Sequence, residues 1–360
     1  MMQSYIRFSS LVLFLILSFS SCKIDSHAES VNTGYVRIKG KTMGTTYAVT
    51  YQDAAQINYK SQIDSLLAAI NQEVSTYIPS ANISIFNQKT DKSLIVSAEK
   101  NPHFVANILE SQKIFEATNG HFDPTVMPLV NYWGFGYTEK KAITNVDKLK
   151  IDTLLQSVGF DKLEIEVTGE KTYVISKANS EMQLDFSAIA KGYAVDAVGN
   201  YLVSQGIENY FVEIGGETVC SGKSPRGDIW ALGISVPSKD AETTDIQEIV
   251  KFTNKGLATS GNYRNYHTSE DGSIYAHTIN PKTGFPEKSN LLSATVIAEN
   301  CMIADAYATA FMVMGKDMAI EFAKSLPNIE IYLIFGDENG EMQTFYTDGF
   351  TEFLSKDAAE

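Results

Sequence analysis

"LDFSAIAKGYAVD", residues 184–196, reads as the end of an extended segment, a polar break and the first turns of a helix. It sets Asp185 and Lys191 six positions apart around two small residues, Ala188 and Ala190. An ordinary helix start would use Asp185 or Ser187 as its N-cap and leave Lys191 in solvent. The other reading gives the same residues a ligand, because a helix start with a lysine beside it suits an anion. The two roles do not exclude each other.

The segments around this stretch mix strands and helices. "GYVRIKGKTMGTTYAVTY" predicts a strand pair bent near Gly44, and residues 56–74 carry apolar Ile63, Leu66, Leu67, Ile70 and Val74 at helical spacing. "NPHFVANILESQKIFEATNG" is a punctuated helix, with Asn101 as cap, Pro102 at the first position and Gly120 past the end. "HFDPTVMPLVNYWGFG" is too apolar for a solvated loop and too rich in proline for a regular element. Its aromatic residues Phe122, Trp133 and Phe135 either pack it into a core or line a ligand. Further strands are expected at "NYFVEIGGETVCSG", "IWALGISVP" and "LLSATVIA", and a hairpin at "IEIYLIFGDENGEMQTFYT". "CMIADAYATAFMVMG" is an apolar helix. Without a regular βαβ rhythm the fold class is α+β, with no internal boundary after Gly34.

With 44% hydrophobic and 20% charged residues in 360, the composition is globular. Residues 1–21 stand apart as a leader: a short start with Arg7, the apolar run "LVLFLILSF", then Ser20 and Ser21 before Cys22. The pattern resembles a lipoprotein signal followed by a lipidated Cys22, the alternatives being an ordinary signal peptide or an uncleaved anchor helix, and residues 22–33 read as a polar tether. Stable anchoring would need more than one acyl chain. The expected location is a bacterial membrane, with the domain facing the periplasm or the cell exterior. Beyond Cys22 the chain has only Cys220 and Cys301, which would either pair or stay buried as small apolar residues. The formal charge is −14, and removing residues 1–21 deletes one cation and no acid, giving −15. Such acidity argues against nucleic acid and means that any bound phosphate needs a local cation or a helix start.

No Walker loop, GxGxxG after a strand, GxSxG or zinc spacing occurs. Three polar placements remain. Asp185, Ser187 and Lys191 surround the central helix start. Asp305 and Thr309 share one face of the apolar helix and offer hard oxygens suited to Mg²⁺, or else cap and back-bond within that helix. His277 lies in "YAHTINP". Together a carboxylate, a hydroxyl, a lysine and a histidine are the parts a phosphoryl-transfer site uses.

"GKTMGTTY", "STY", "GHFDPTVMPLVNYWGFG", "LDFSAIAKGYAVD", "EIGGE", "ATSGNY", "HTINPKTG" and "ADAYATAFMVMG" follow the order of motifs in the ApbE family, which the chain resembles from about Gly40 to Gly349. The resemblance implies a single catalytic domain over residues 34–350, or two lobes around an FAD site, followed by a tail at 351–360. It implies an enzyme that cleaves FAD and attaches FMN through a phosphoester to a threonine or serine of a target protein, releasing AMP. The expected target is a flavin subunit of a membrane redox complex. Carried over motif by motif, Met43, Tyr77, His121, Phe122, Asp123, Asp185, Lys191 and Ile279 would contact FAD. Ala188 through its carbonyl, Asp305, Ala308 and Thr309 would hold Mg²⁺, and His277 with Asp305 would be catalytic. Asn280 departs from the aspartate common in relatives. A hydrolase that splits FAD to FMN and AMP, and a non-catalytic FAD-binding lipoprotein, remain alternatives.

Overall fold

The computed structural model describes residues 34–138, 146–238, 245–262, 266–268 and 274–355. The leader, the tether and Cys22 lie outside the described residues, as do 356–360. From Thr33 onward the chain is one compact unit. Among the described residues no helix is long and apolar enough to cross a membrane.

Eight strands form one sheet whose spatial order is their order along the chain: Tyr35–Thr42, Thr45–Gln52, Tyr210–Ile214, Glu217–Ser221, Lys255–Gly261, Leu291–Ala298, Glu330–Gly336 and Met342–Tyr346. Every neighbouring pair is antiparallel. Met43 and Gly44 join the first two strands with φ of 49° and 73°, the double left-handed geometry of a tight hairpin that matches strand twist. Consecutive residues along the middle strands face opposite ways. Ala258, Val296 and Leu333 enter the main core, while their neighbours Leu257, Ile297 and Ile334 enter a second one.

The two faces are covered differently. Against the main core lie the central helix Ala190–Ser204, the apolar helix Cys301–Met314, and the helices Lys60–Val74 and Pro102–Ala117. The second core is closed by the strand pair Trp230–Ser235 and Ile246–Phe252 and by the short helix Asp348–Glu352. Phe350 is fully buried there, Phe353 and Leu354 pack beside it, and Ser355 donates to the Ile249 carbonyl at 2.9 Å. The packed body therefore runs to Ser355, and residues 351–355 are not tail as the sequence suggested. Their apolar side chains close a core that an end at residue 350 would leave open.

A third, smaller cluster gathers Leu129, Trp133, Ile151, Val158 and Ile279. Trp133 is fully buried and donates its indole N–H to the Gly284 carbonyl at 2.8 Å. The irregular "HFDPTVMPLVNYWGFG" is thus core backbone, fixed by aromatic burial and one buried hydrogen bond. Pro102 opens its helix as expected, but Asn101 does not cap it through its side chain. Its oxygen instead accepts from the Ser97 amide at 3.3 Å. The cysteines do not pair, and both are free and buried.

The decisive tertiary contact is the crossing of the central and apolar helices. A Cβ on Gly192 would stand 2.3 Å from the Cys301 carbonyl oxygen, and a Cβ on Gly256 would stand 2.1 Å from the Cys301 nitrogen. The apolar helix is therefore seated between two positions where no side chain fits. Asp196 on the central helix accepts from the Cys301 and Met302 amides at 2.9 and 2.8 Å, and Asn300 caps the same end by accepting from Ile303 at 2.9 Å. Four-residue spacing along one helix thus delivers both Gly192 and Asp196 to the start of the other.

Candidate active site

The crossing carries a buried charge cluster. Asp305, 2% exposed, accepts the Gly192 amide through Oδ2 at 3.0 Å. Lys191 Nζ lies 3.9 Å from Asp305 Oδ1 and 2.5 Å from Glu217 Oε1. Glu217, 4% exposed, keeps its Oε2 without a hydrogen-bond partner among the described residues. Burial acts to strip the Lys191 proton, but the Asp305 and Glu217 charges outweigh it and hold the ammonium above the usual lysine range. Burial pushes Asp305 and Glu217 upward, and Lys191 opposes both shifts.

These contacts correct three simpler expectations. Lys191 is an ion-pair partner rather than a solvent lysine. Asp305 does not cap its own helix, because Asn300 does. Thr309 hydrogen-bonds with the Ser260 hydroxyl at 3.2 Å, across to a strand of the sheet. The central helix begins at Ala190 with no side-chain cap, and Asp185 accepts instead from the Ser187 amide at 2.8 Å in the turn before it. Ala188 lies between that turn and the helix, and Ala308 is fully buried.

The other residues singled out in the sequence make local contacts of their own. The Met43–Gly44 turn adjoins the Gly215–Gly216 turn: the Gly215 amide donates to the Thr46 carbonyl at 3.1 Å. A Cβ at Gly215 would stand 2.8 Å from Thr45 Cγ2 and 3.5 Å from Glu217 Oε2. Asp185 donates its amide to the Pro124 carbonyl at 2.7 Å, which ties the "HFDP" segment to the central helix start. Burial raises the Asp185 carboxyl. Tyr77 is 71% exposed, and partial desolvation, then the Asp185 charge, raise its pKa. His121 engages the Thr118 carbonyl through Nδ1 at 2.8 Å, and burial lowers its pKa. His277 stands edge-on to Phe135, with ring centroids 6.3 Å apart. Ile279 is buried, and a β-bridge to Pro286 fixes its backbone.

Two of the residues expected to contact FAD have buried side chains. Phe122 is 2% exposed in the main core, so what it can offer a ligand is backbone. Asp123 accepts from the Thr125 amide and hydroxyl at 2.8 and 2.6 Å and from the Phe160 amide at 3.3 Å. Both its oxygens hold the loop together, and burial pushes its carboxyl up to about 6. Glu217, Asp196 and Ser260 had no assigned role. Glu217 sits in the quoted "EIGGE", but its partner lies 26 positions away, and only the fold joins them.

The sequence pattern of the ApbE family matches residues 43–333. The chain is 36% identical over 331 residues to an FAD:protein FMN transferase of Haemophilus influenzae, covering 91% of this chain and 92% of that protein. It is 37% identical over 327 residues to another of that name from Vibrio cholerae, covering 89% and 93%. The solved flavin transferase ApbE from Vibrio cholerae superposes with a TM-score of 0.78 at 36% identity, covering 89% of this chain and 99% of that one. Fold and site together define a member of a transferase-like α+β class with its polar centre at a helix crossing. The chain belongs to the ApbE family.

The donors at the crossing fit a divalent cation that arrives with a phosphate ligand. No group of three or more His, Cys, Asp or Glu among the described residues could hold a metal alone. Mg²⁺ rarely needs one, since it keeps waters and uses one or two carboxylates plus substrate phosphates. Asp305 and Thr309 supply a carboxylate and a hydroxyl one turn apart, with the unpartnered Glu217 Oε2 in the same cluster.

The buried carboxyls make stability depend on pH. Burial holds Asp196 at about 7 and Asp123 at about 6, both above their unfolded values. The folded chain then binds more protons than the unfolded chain between about pH 4 and 7, so stability falls as pH rises through that window. In EDTA, the melting temperature is expected to drop between pH 5 and pH 8, by an amount worth a few kcal/mol in order of magnitude. Asp196→Asn should flatten that slope, and an unchanged slope would remove Asp196 as its source.

Proposed function

We propose that this chain transfers FMN from FAD to a serine or threonine hydroxyl of a target protein and releases AMP. One observation carries the reading: a lysine and two buried acids meet at the helix crossing, beside the Met43 turn, in a chain of the ApbE family. The relatives from Haemophilus influenzae and Vibrio cholerae are named FAD:protein FMN transferases, which supports transfer of FMN from FAD to a protein. In the reaction the acceptor oxygen bonds to the FMN phosphorus, the bond to the bridging oxygen breaks, and AMP leaves with that oxygen. The acceptor proton must find a base.

Lys191 supplies fixed positive charge for the diphosphate, and Asp305 with Thr309 would hold Mg²⁺. When bound, the ion supplies charge stabilisation at the phosphoryl oxygens. Burial of Asp305 beneath the helix crossing keeps water from its inner face. Asp185 and the exposed Tyr77 would orient the flavin or adenine end. His277 accepts the acceptor proton, the task for which imidazole is suited near neutral pH.

His277→Ala is expected to keep near-normal FAD binding, read by quenching of flavin fluorescence, and to lose transfer by at least about a hundredfold. Transfer is read as in-gel flavin fluorescence on an acceptor domain. Proportional loss of binding and transfer would assign His277 to positioning. Free FMN and AMP without labelled acceptor would make the wild-type chain a hydrolase, and intact FAD would make it a carrier.

The leader supports a further part of the reading, a lipid anchor at Cys22 that places the enzyme on the outer side of a membrane. Cys22→Ala should move the processed domain from the membrane fraction to the soluble one. Continued membrane retention of the processed variant would contradict the anchor.

A further inference from the structure

Glu217 is the member of the cluster with no assigned task. It follows the Gly215–Gly216 turn at the start of its strand, so its position is set by the sheet and not by a flexible loop. Its Oε1 holds Lys191 at 2.5 Å, and Lys191 is 3.9 Å from Asp305. Its Oε2 is buried and has no partner among the described residues, and it faces the space beside Gly215, which has no side chain. One ammonium therefore serves two buried acids, with one carboxylate oxygen left uncompensated.

Charge counting gives this arrangement a consequence. Lys191 contributes one positive charge against the negative charges of Glu217 and Asp305, a net of −1. A diphosphate ligand brings two more negative charges into a low-dielectric site and would be repelled. A divalent cation reverses the sign of the cluster to +1 before the ligand's charge is counted. Without Glu217 the same cluster would be neutral, with Lys191 free to turn its donors to phosphate.

We propose that Glu217 couples diphosphate binding to a divalent cation: it occupies Lys191 and keeps the metal-free site net negative, so FAD binds well only with the cation. This rests on the reading of the site as one for FAD. Glu217 is thus a positioning residue. It acts through Lys191 and through the field at Asp305, and it need not touch the reacting atoms.

The test measures binding, apart from turnover. FAD affinity is determined by fluorescence quenching at pH 8 in EDTA and again in excess Mg²⁺, and the ratio of the two is the coupling. Wild type should bind FAD more tightly with Mg²⁺ by about fivefold or more, a normal size for linkage between two ligands. Glu217→Gln, which keeps the shape and a hydrogen-bonding group, should bind FAD more tightly in EDTA than wild type and lose most of the Mg²⁺ enhancement. Lys191→Gln should shift the opposite way, with metal-free binding lost and a steeper dependence on Mg²⁺, and it keeps the test decisive if the first variant does not fold. Glu217→Gln with the full wild-type enhancement would overturn the proposal, and so would wild-type binding that ignores Mg²⁺. A wild-type chain that binds no FAD under either condition would overturn the FAD reading itself, and this inference with it.

Discussion

The hydrogen bond from the Gly192 amide to Asp305, 3.0 Å long, spans the crossing of two helices and ties the fold to the site. It exists because Gly192 has no side chain, so the backbone of Cys301 can approach to a distance that any Cβ would block. That approach brings one turn of the central helix under the first turns of the apolar helix. Lys191 and Asp196 flank Gly192 on the central helix, and each meets its partner as a result. Asp196 caps the neighbouring helix, and Lys191 reaches the acids.

A buried carboxylate is costly unless it is paired and hydrogen-bonded. Here two acids share one lysine, and one oxygen has no hydrogen-bond partner among the described residues. Replacing a buried ion pair with hydrophobic residues is often neutral or stabilising, so such a cluster is weak evidence of a role in stability and fits the proposed role in binding. The sheet makes such a cluster tolerable. It is buried on both faces by two cores, and it fixes Glu217 and Ser260 on strands, where their positions are rigid. The acidic surface and the cationic requirement of a phosphate ligand meet at this point. A chain of net charge −14 needs local positive charge to hold a diphosphate, and under the proposed function Lys191 with a divalent cation would provide it.

The mixed α+β class was legible in the sequence because its signals are local. Alternation marks the strands, and the Met43–Gly44 pair falls in a tight hairpin turn. Pro102 and Gly120 mark helix ends in the chain as in the structure. Lys191, Asp305 and Thr309 were legible as polar residues at a helix start or on an apolar face. Their partners were not. Glu217 and Lys191 are 26 positions apart, and Asp196 meets Cys301 across 105, distances that carry no periodic signal. The partners of Asp123 were hidden for a related reason: its oxygens close the irregular loop on Thr125 and Phe160, contacts that no sequence pattern marks. The closing role of residues 351–355 was hidden because one short, polar-flanked apolar pair, Phe353 and Leu354, gives no pattern until a core surrounds it.

Asp305→Asn isolates the charge at the crossing from its shape, because asparagine can still accept the Gly192 amide. The decisive measurement is single-turnover transfer of flavin to an acceptor domain, with Mg²⁺ varied at saturating FAD and melting temperature followed in parallel. If the carboxylate charge organises diphosphate chemistry at this crossing, the variant folds, transfers at least about a hundredfold more slowly, and is not rescued by excess Mg²⁺. A folded Asp305→Asn chain that transfers flavin at the wild-type rate with the wild-type dependence on Mg²⁺ would contradict that account.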